Sequence, residues 1–192
     1  MTAKKIQAVA LKHFSQKGYD GTSLADIAGE VGIKKPSIYA HFESKFDLFA
    51  AVVEEVSEDY RAYRQTVISG SSSMDFEQHL FNIFSSMITY FIQDRVKMAF
   101  WVRLWMFPPA ESPEALLEPW KNLNKTFLDE VIAIFEQGIS EGHVRQGSPQ
   151  DMAHTYLCLL DGFLTRVIIS DDADYSQHMT QVWQCFWAGA KA

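Results

Sequence analysis

Apolar residues recur at helical spacing along nearly the whole chain, and polar, glycine or proline stops divide them into about nine helices. The first runs from about Thr2 to Lys17 with Ile6, Val9, Ala10, His13 and Phe14 on one face, and Gly18 ends it. Ser23 is a natural N-cap for a second helix, Leu24 to Val31, closed by Gly32. Pro36 suits the first turn of a short third helix reaching Phe42, because its missing N–H would have no helical partner there. Ser44 caps a long fourth helix to about Ile68, with Phe46, Phe49, Val52, Val53 and Val56 as its stripe. After the Gly70–Ser73 linker come a fifth helix, about Met74 to Gln93, and a sixth, about Arg95 to Phe107, halted by Pro108-Pro109. The seventh starts near Ser112-Pro113 and ends about Ser140, with Pro119 implying an irregular start or a kink. The eighth, about Pro149 to Ser170, and the ninth, about Tyr175 to Ala190, flank an acidic loop, Asp171–Asp174. No stretch alternates as a strand does, so the pattern predicts an all-α fold.

Residues 23–42 hold a more specific pattern. Leu24, Ile27, Ala28 and Val31 make an inner face, Gly32 makes a turn, and Ile33 and Ile38 pack from the turn and the second helix. Small Ala28 permits close approach of the two short helices. This is helix-turn-helix logic, in which the first helix braces and the second enters the major groove. Lys34, Lys35 and Ser37 fall at the start of the second helix, where side chains reach base edges and free N–H groups meet phosphate. Tyr39 and His41 lie on its flank, and Lys45 begins the next helix. A solvated polar face on a helical hairpin is the plain alternative.

Charge separates the readings. Residues 1–50 hold seven Lys against five acids, +2, whereas residues 51–192 hold ten Lys or Arg against nineteen acids, −9. A basic end on an acidic body points to different partners for the two parts. Glycine and proline are scarce, in keeping with helices, and two cysteines without a CxxC exclude a disulfide framework. Lys12 and His13 interrupt the first apolar stretch, so no signal peptide fits. Ala99 to Phe107, read as the most apolar stretch, is too short to span a bilayer. A soluble, cytoplasmic protein with no membrane partner is expected.

Gly18-Tyr19, Thr22-Ser23-Leu24, Ile27-Ala28, Val31-Gly32-Ile33, Lys35, Ile38-Tyr39, His41-Phe42, Ser44-Lys45 and Leu48 together resemble the DNA-binding half of the TetR/AcrR family of bacterial transcriptional regulators, over about residues 4–50 without a gap. The resemblance implies a three-helix DNA-binding domain, residues 1–48, and a larger helical-bundle domain for effector binding and dimerisation, residues 49–192. It assigns phosphate contacts to Thr22, Ser23, Tyr39, His41 and Lys45. It places Lys34, Lys35, Pro36 and Ser37 at the groove-facing start of the recognition helix, and makes Phe42 a core anchor. Lys34 and Pro36 stand where many members have a small polar residue and glycine. The paired lysines either read guanine or grip phosphate, so no base preference is assigned.

The body adds two features. Residues 74–108 carry nine aromatics in 35 positions, against 14% for the chain. They read either as ordinary core or, with the family, as the lining of an effector cavity. The ligand candidates are Phe84, Phe100, Trp101, Trp105 and Phe163, with His79 and Arg103 as polar groups that interrupt apolar faces. The last two helices are apolar nearly all round, which predicts a second chain against them. Tyr156, Leu160, Phe163, Val182, Trp183 and Phe186 are the expected homodimer interface, and a twofold dimer matches an inverted-repeat, double-stranded operator. Asp151, His154, Cys158 and Asp161 share roughly one helix face, but an interface histidine and a buried thiol explain them without a metal.

No nucleophile elbow, phosphate loop or carboxylate pair points to an enzyme, and no cofactor is implied. The leading expectation is a dimeric repressor released from a palindromic operator by a small, mostly apolar molecule of unknown identity. The alternative is a family member that binds DNA without an effector.

Overall fold

The computed structural model describes residues 3–70, 75–109, 114–170 and 174–192. Among them lie eight α-helices and one 3-10 helix: α1 (Ala3–Lys17), α2 (Leu24–Val31), the 3-10 helix Lys35–Ser37, α3 (Lys45–Ser69), α4 (Phe76–Gln93), α5 (Arg95–Met106), α6 (Glu114–Ser140), α7 (Pro149–Ser170) and α8 (Tyr175–Ala190). The described residues contain no strand, only an isolated antiparallel bridge between Val144 and Lys191. The expected starts at Thr2, Met74 and Ser112-Pro113, the Ser71–Ser73 part of the linker and the Asp171–Ala173 part of the acidic loop fall outside the described residues.

The third helix differs from expectation. In place of an α-helix reaching Phe42, Lys35–Ser37 form a 3-10 turn, with Ser37 N–H donating to Lys34 O at 2.8 Å and Ile38 N–H to Lys35 O at 3.0 Å. One α-type bond comes next, from Phe42 N–H to Ile38 O at 3.0 Å. The segment lies between extended Lys34 and the cap residue of α3, too short for a cooperative α-helix to repay its nucleation cost. Pro36 also removes one donor.

The chain divides into two compact units, residues 1–61 with 92–121 and residues 62–91 with 122–192. In the first, Ile6, Phe14, Leu24, Ile27, Val31, Ile38, Leu48, Phe49, Val52 and Phe100 are buried. Phe49 meets Phe14 edge-on at 4.9 Å and Phe100 at 5.8 Å, so α5 packs into the core of this first unit. Lys97 of α5 pairs with Asp59 of α3 at 2.6 Å.

The second unit is built around rings. Phe84 of α4 lies 6.1 Å from both Tyr156 and Phe163 of α7 and 5.8 Å from Trp183 of α8. The Tyr156 hydroxyl donates to Leu80 O at 3.0 Å, which satisfies the polar end of a fully buried ring. Phe76 packs on Gly138, where its ring leaves no room for a Cβ. Among the described residues α7, by length and composition alone, is apolar enough to cross a membrane. In this fold its Met152, Ala153, Tyr156, Leu160 and Phe163 instead supply core.

Candidate nucleic-acid interface

Local rules set α2 in place. The Ser23 side chain accepts from Asp26 N–H at 3.1 Å, capping the first turn. Gly32 ends the helix in the left-handed region, φ +83°, and its N–H returns to Ala28 O at 3.0 Å. Polar contacts then tie α2 to α1: Lys12 pairs with Glu30 at 2.7 Å and Lys17 with Asp26 at 3.5 Å, and His13 Nε2 lies at hydrogen-bond distance, 2.8 Å, from Glu30. Lys12 and then His13 hold the Glu30 carboxyl below its ordinary value, and the Ser23 hydrogen bond, then the Lys17 charge, does the same for Asp26.

These contacts decide which of the seven N-terminal lysines face outward uncommitted. Lys12 and Lys17 are paired, and Lys5 donates to Val31 O at 3.2 Å. Lys45 donates to Tyr19 O at 2.9 Å and Thr22 O at 3.2 Å, and its ammonium lies 4.1 Å over the Tyr19 ring. Lys4, Lys34 and Lys35 are exposed and make no such contact. Beside the last two, Ile38 and Phe42 are buried and anchor the segment, while Pro36, Ser37, Tyr39 and His41 stand outward. Tyr39 is 50% exposed, unusual for a ring without an outside partner.

The expected phosphate-contact residues therefore fall into two groups. Tyr39 and His41 share one exposed segment with the expected groove-facing residues Lys34, Lys35, Pro36 and Ser37. Thr22 is buried, with its hydroxyl donating to Gly18 O at 2.7 Å, and Lys45 is turned onto the α1–α2 loop. In this conformation both brace the loop. Ser23 is exposed at the N-terminus of α2.

The seven ligand candidates are not gathered in one unit. Phe100, Trp101, Arg103 and Trp105 belong to the first and His79, Phe84 and Phe163 to the second. Phe100 and Trp101 are core, Trp101 lying 6.4 Å from Tyr60. Trp105 is 58% exposed, and Arg103 donates to two backbone carbonyls of α1, Ser15 O and Gln16 O, each at 2.8 Å. A guanidinium in an apolar helix carries no sign of its partner, which is why this contact was not legible from sequence. His79 is half-buried; its Nε2 has no hydrogen-bond partner among the described residues, and burial lowers its pKa.

The expected dimer residues also divide. Tyr156, Leu160, Phe163 and Trp183 are buried within their own chain, whereas Val182 and Phe186 open onto a cleft of about 590 Å³ with Thr155, Cys158, Leu159, Gln181 and Cys185. The heavier stripe of α7 faces inward because it carries the rings. Thr155, Cys158 and Leu159, three and four apart and without rings, mark the outer face. Among the described residues no three His, Cys, Asp or Glu side chains gather as a metal site, and Asp151, His154, Cys158 and Asp161 form no such group.

Residues 6–52 match the family model described as bacterial regulatory proteins, tetR family. The chain is 52% identical over 50 residues to the biofilm operon icaADBC HTH-type negative transcriptional regulator IcaR of Staphylococcus aureus strain Newman, covering 26% of this chain and 27% of that protein. It thus spans about a quarter of the length of that relative. Against IcaR of Staphylococcus epidermidis it is 31% identical over 137 residues, 69% of this chain and 68% of the relative. A crystal structure of a transcriptional regulator from Saccharomonospora viridis in complex with choline superposes with a TM-score of 0.81 at 17% identity, covering 99% of this chain and 97% of that one.

Proposed function

The chain belongs to the TetR family of bacterial transcriptional regulators, and from that premise we propose that it is a homodimeric repressor that leaves a palindromic operator when a small molecule binds its body. The observation that carries the DNA-binding part is the exposed Lys34, Lys35, Ser37, Tyr39 and His41 on a segment pinned underneath by buried Ile38 and Phe42. Four other N-terminal lysines are engaged with the protein, so of the three exposed without such a contact, Lys4, Lys34 and Lys35, two sit where a helix-turn-helix unit meets the groove. The relatives are negative transcriptional regulators and not enzymes, which supports repression as the direction of control.

The dimer reading is supported by the outer face of α7 and α8, where Leu159, Val182 and Phe186 line an apolar cleft. Two such helices from each subunit would form a four-helix interface. Thr22, Ser23 and Lys45 remain proposed phosphate contacts through the α1–α2 loop. For Lys45 this requires exchanging carbonyl oxygens for phosphate oxygens.

The effector is proposed to be mostly apolar and to enter the ring-rich second unit, with Phe84 and Phe163 as walls and His79 as a polar anchor. The Saccharomonospora viridis protein, of the same fold, holds choline, so this architecture accommodates a small molecule. Arg103 and Trp105 are not placed at this site.

Selection of bound duplexes from a random-sequence library, with titration of the winners at several salt concentrations, tests the DNA reading. Each lysine that neutralises a phosphate contributes about −0.9 to the slope of log affinity against log salt. Lys34→Ala and Lys35→Ala are expected either to reduce the slope by that amount or to relax one base position, which separates backbone grip from base readout. If both variants retain the wild-type affinity, slope and base preference, this surface does not meet DNA.

A further inference from the structure

The C-terminal turn of α1 ends in carbonyls that no helical N–H can satisfy, and its dipole is negative there. One cation closes it and a second holds the loop that follows. Lys45 reaches Tyr19 O and Thr22 O from the start of α3, and Arg103 reaches Ser15 O and Gln16 O from α5. The Arg103 fork lies beside Gly18, the left-handed residue that turns the chain out of α1. Thr22 then ties back to Gly18 O at 2.7 Å, and Ser23 next to it caps α2. One turn, residues 15–23, is thereby held from both sides and leads directly into the helix-turn-helix.

We propose that Arg103 is a positioning residue for DNA binding: through its two hydrogen bonds, α5 sets the α1–α2 turn and so the seating of α2. This rests on the repressor reading and adds a route to it. The route through α5 passes through a single side chain. α5 begins at the Asp94 cap, immediately after α4 ends at Gln93, so one residue joins it to the helix that carries Phe84. Arg is suited to this task because its planar fork donates to two adjacent carbonyls in a fixed geometry.

The experiment compares wild type, R103M, R103K, D94A and the R103M/D94A double variant. The readouts are amide exchange at Gly18–Thr22 and affinity for a duplex selected by the wild-type protein. R103M keeps much of the apolar stem and loses the fork. It is expected to speed exchange at these amides at least about fivefold and weaken DNA about tenfold, with an unchanged salt slope because no phosphate contact is lost. R103K should recover part of both effects. Asp94 accepts from Val96 and Lys97 N–H groups, so D94A loosens the start of α5. It should weaken DNA binding in the Arg103 background and add little to R103M, the non-additivity expected of one pathway.

Unchanged exchange in R103M, additive losses in the double variant, or a salt slope lower by one phosphate would each overturn the proposal. The last would make Arg103 a DNA contact. If R103M does not fold, R103K carries the same comparison with smaller factors, and wild-type exchange in R103K overturns it. Failure of the wild-type protein to select any duplex would instead remove the repressor reading, while the exchange measurement still decides the role of Arg103.

Discussion

Arg64 is 1% exposed and remains charged, so its surroundings must supply what water would. Its Nη1 donates to Leu123 O at 2.9 Å, its Nε lies 3.1 Å from Glu130 Oε2, and the guanidinium sits 5.1 Å over the Phe127 ring. Burial raises the Glu130 pKa, and the Arg64 charge offsets only part of that. Glu130 and Glu30 therefore act on stability with opposite signs. The raised group favours the folded state below its unfolded value near 4.5, and that contribution is lost as pH rises through the folded value. The lowered group contributes above 4.5 and is lost as pH falls. Urea midpoints measured from pH 3 to pH 7 are expected to show a shallower acid loss in Glu30→Gln and a steeper one in Glu130→Gln. Identical slopes in both would contradict the assignment. Glu130→Ala should also lower stability by roughly 2–3 kcal/mol, at or below the usual cost of stranding a buried charge because Glu130 is partly exposed. At this scale sequence reading identified suitable residue types but not their partners. Lys45 and Thr22 have the right chemistry for phosphate, yet the fold of residues 18–22 offers them backbone oxygens first.

Elements were more legible where punctuation was strong. Pro149 and the boundary after Asp174 mark α7 and α8 at the residues where the structure begins them, because a proline at the first position and polar loop residues leave little choice. The segment after Gly32 was less legible. Its composition permits a helix, and only the distance between Lys34 and the cap of α3 decides for a 3-10 turn. Two glycines of the helix-turn-helix make a paired test. Gly32 has φ +83° and open space around its Cβ position, so Gly32→Ala bears only the backbone penalty, about 1 kcal/mol. Gly29 lies within α2 with ordinary backbone and equally open space, so Gly29→Ala should stabilise by roughly 0.5–1 kcal/mol. Thermal melts are expected to move in opposite directions, down for Gly32→Ala and up for Gly29→Ala. A rise for both would mean that the cap is not held in the left-handed region.

For the whole molecule, sequence indicated that α7 and α8 have too many apolar faces for one chain, but not which face turns outward. The rings settle it, since Tyr156, Phe163 and Trp183 fill the second unit and leave Leu159, Val182 and Phe186 outside. A charge at Trp183 would therefore damage the fold and report little about assembly. Leu159→Glu is the sharper probe, because Leu159 lines the outer cleft and is not among the buried core residues. In a dimer closed by this face, two symmetry-related carboxylates would be brought together without partners, at a cost of several kcal/mol. Light scattering should then show a monomer, and far-UV circular dichroism should show unchanged helix content. DNA affinity should fall much further than one subunit's contacts explain, because a dimer engages two half-sites about 34 Å apart and a monomer only one. The salt slope should drop toward half, since half the phosphates are neutralised per binding event. An intact Leu159→Glu dimer would place the interface elsewhere. A monomer that retained wild-type affinity and slope would show that the operator is read by single subunits.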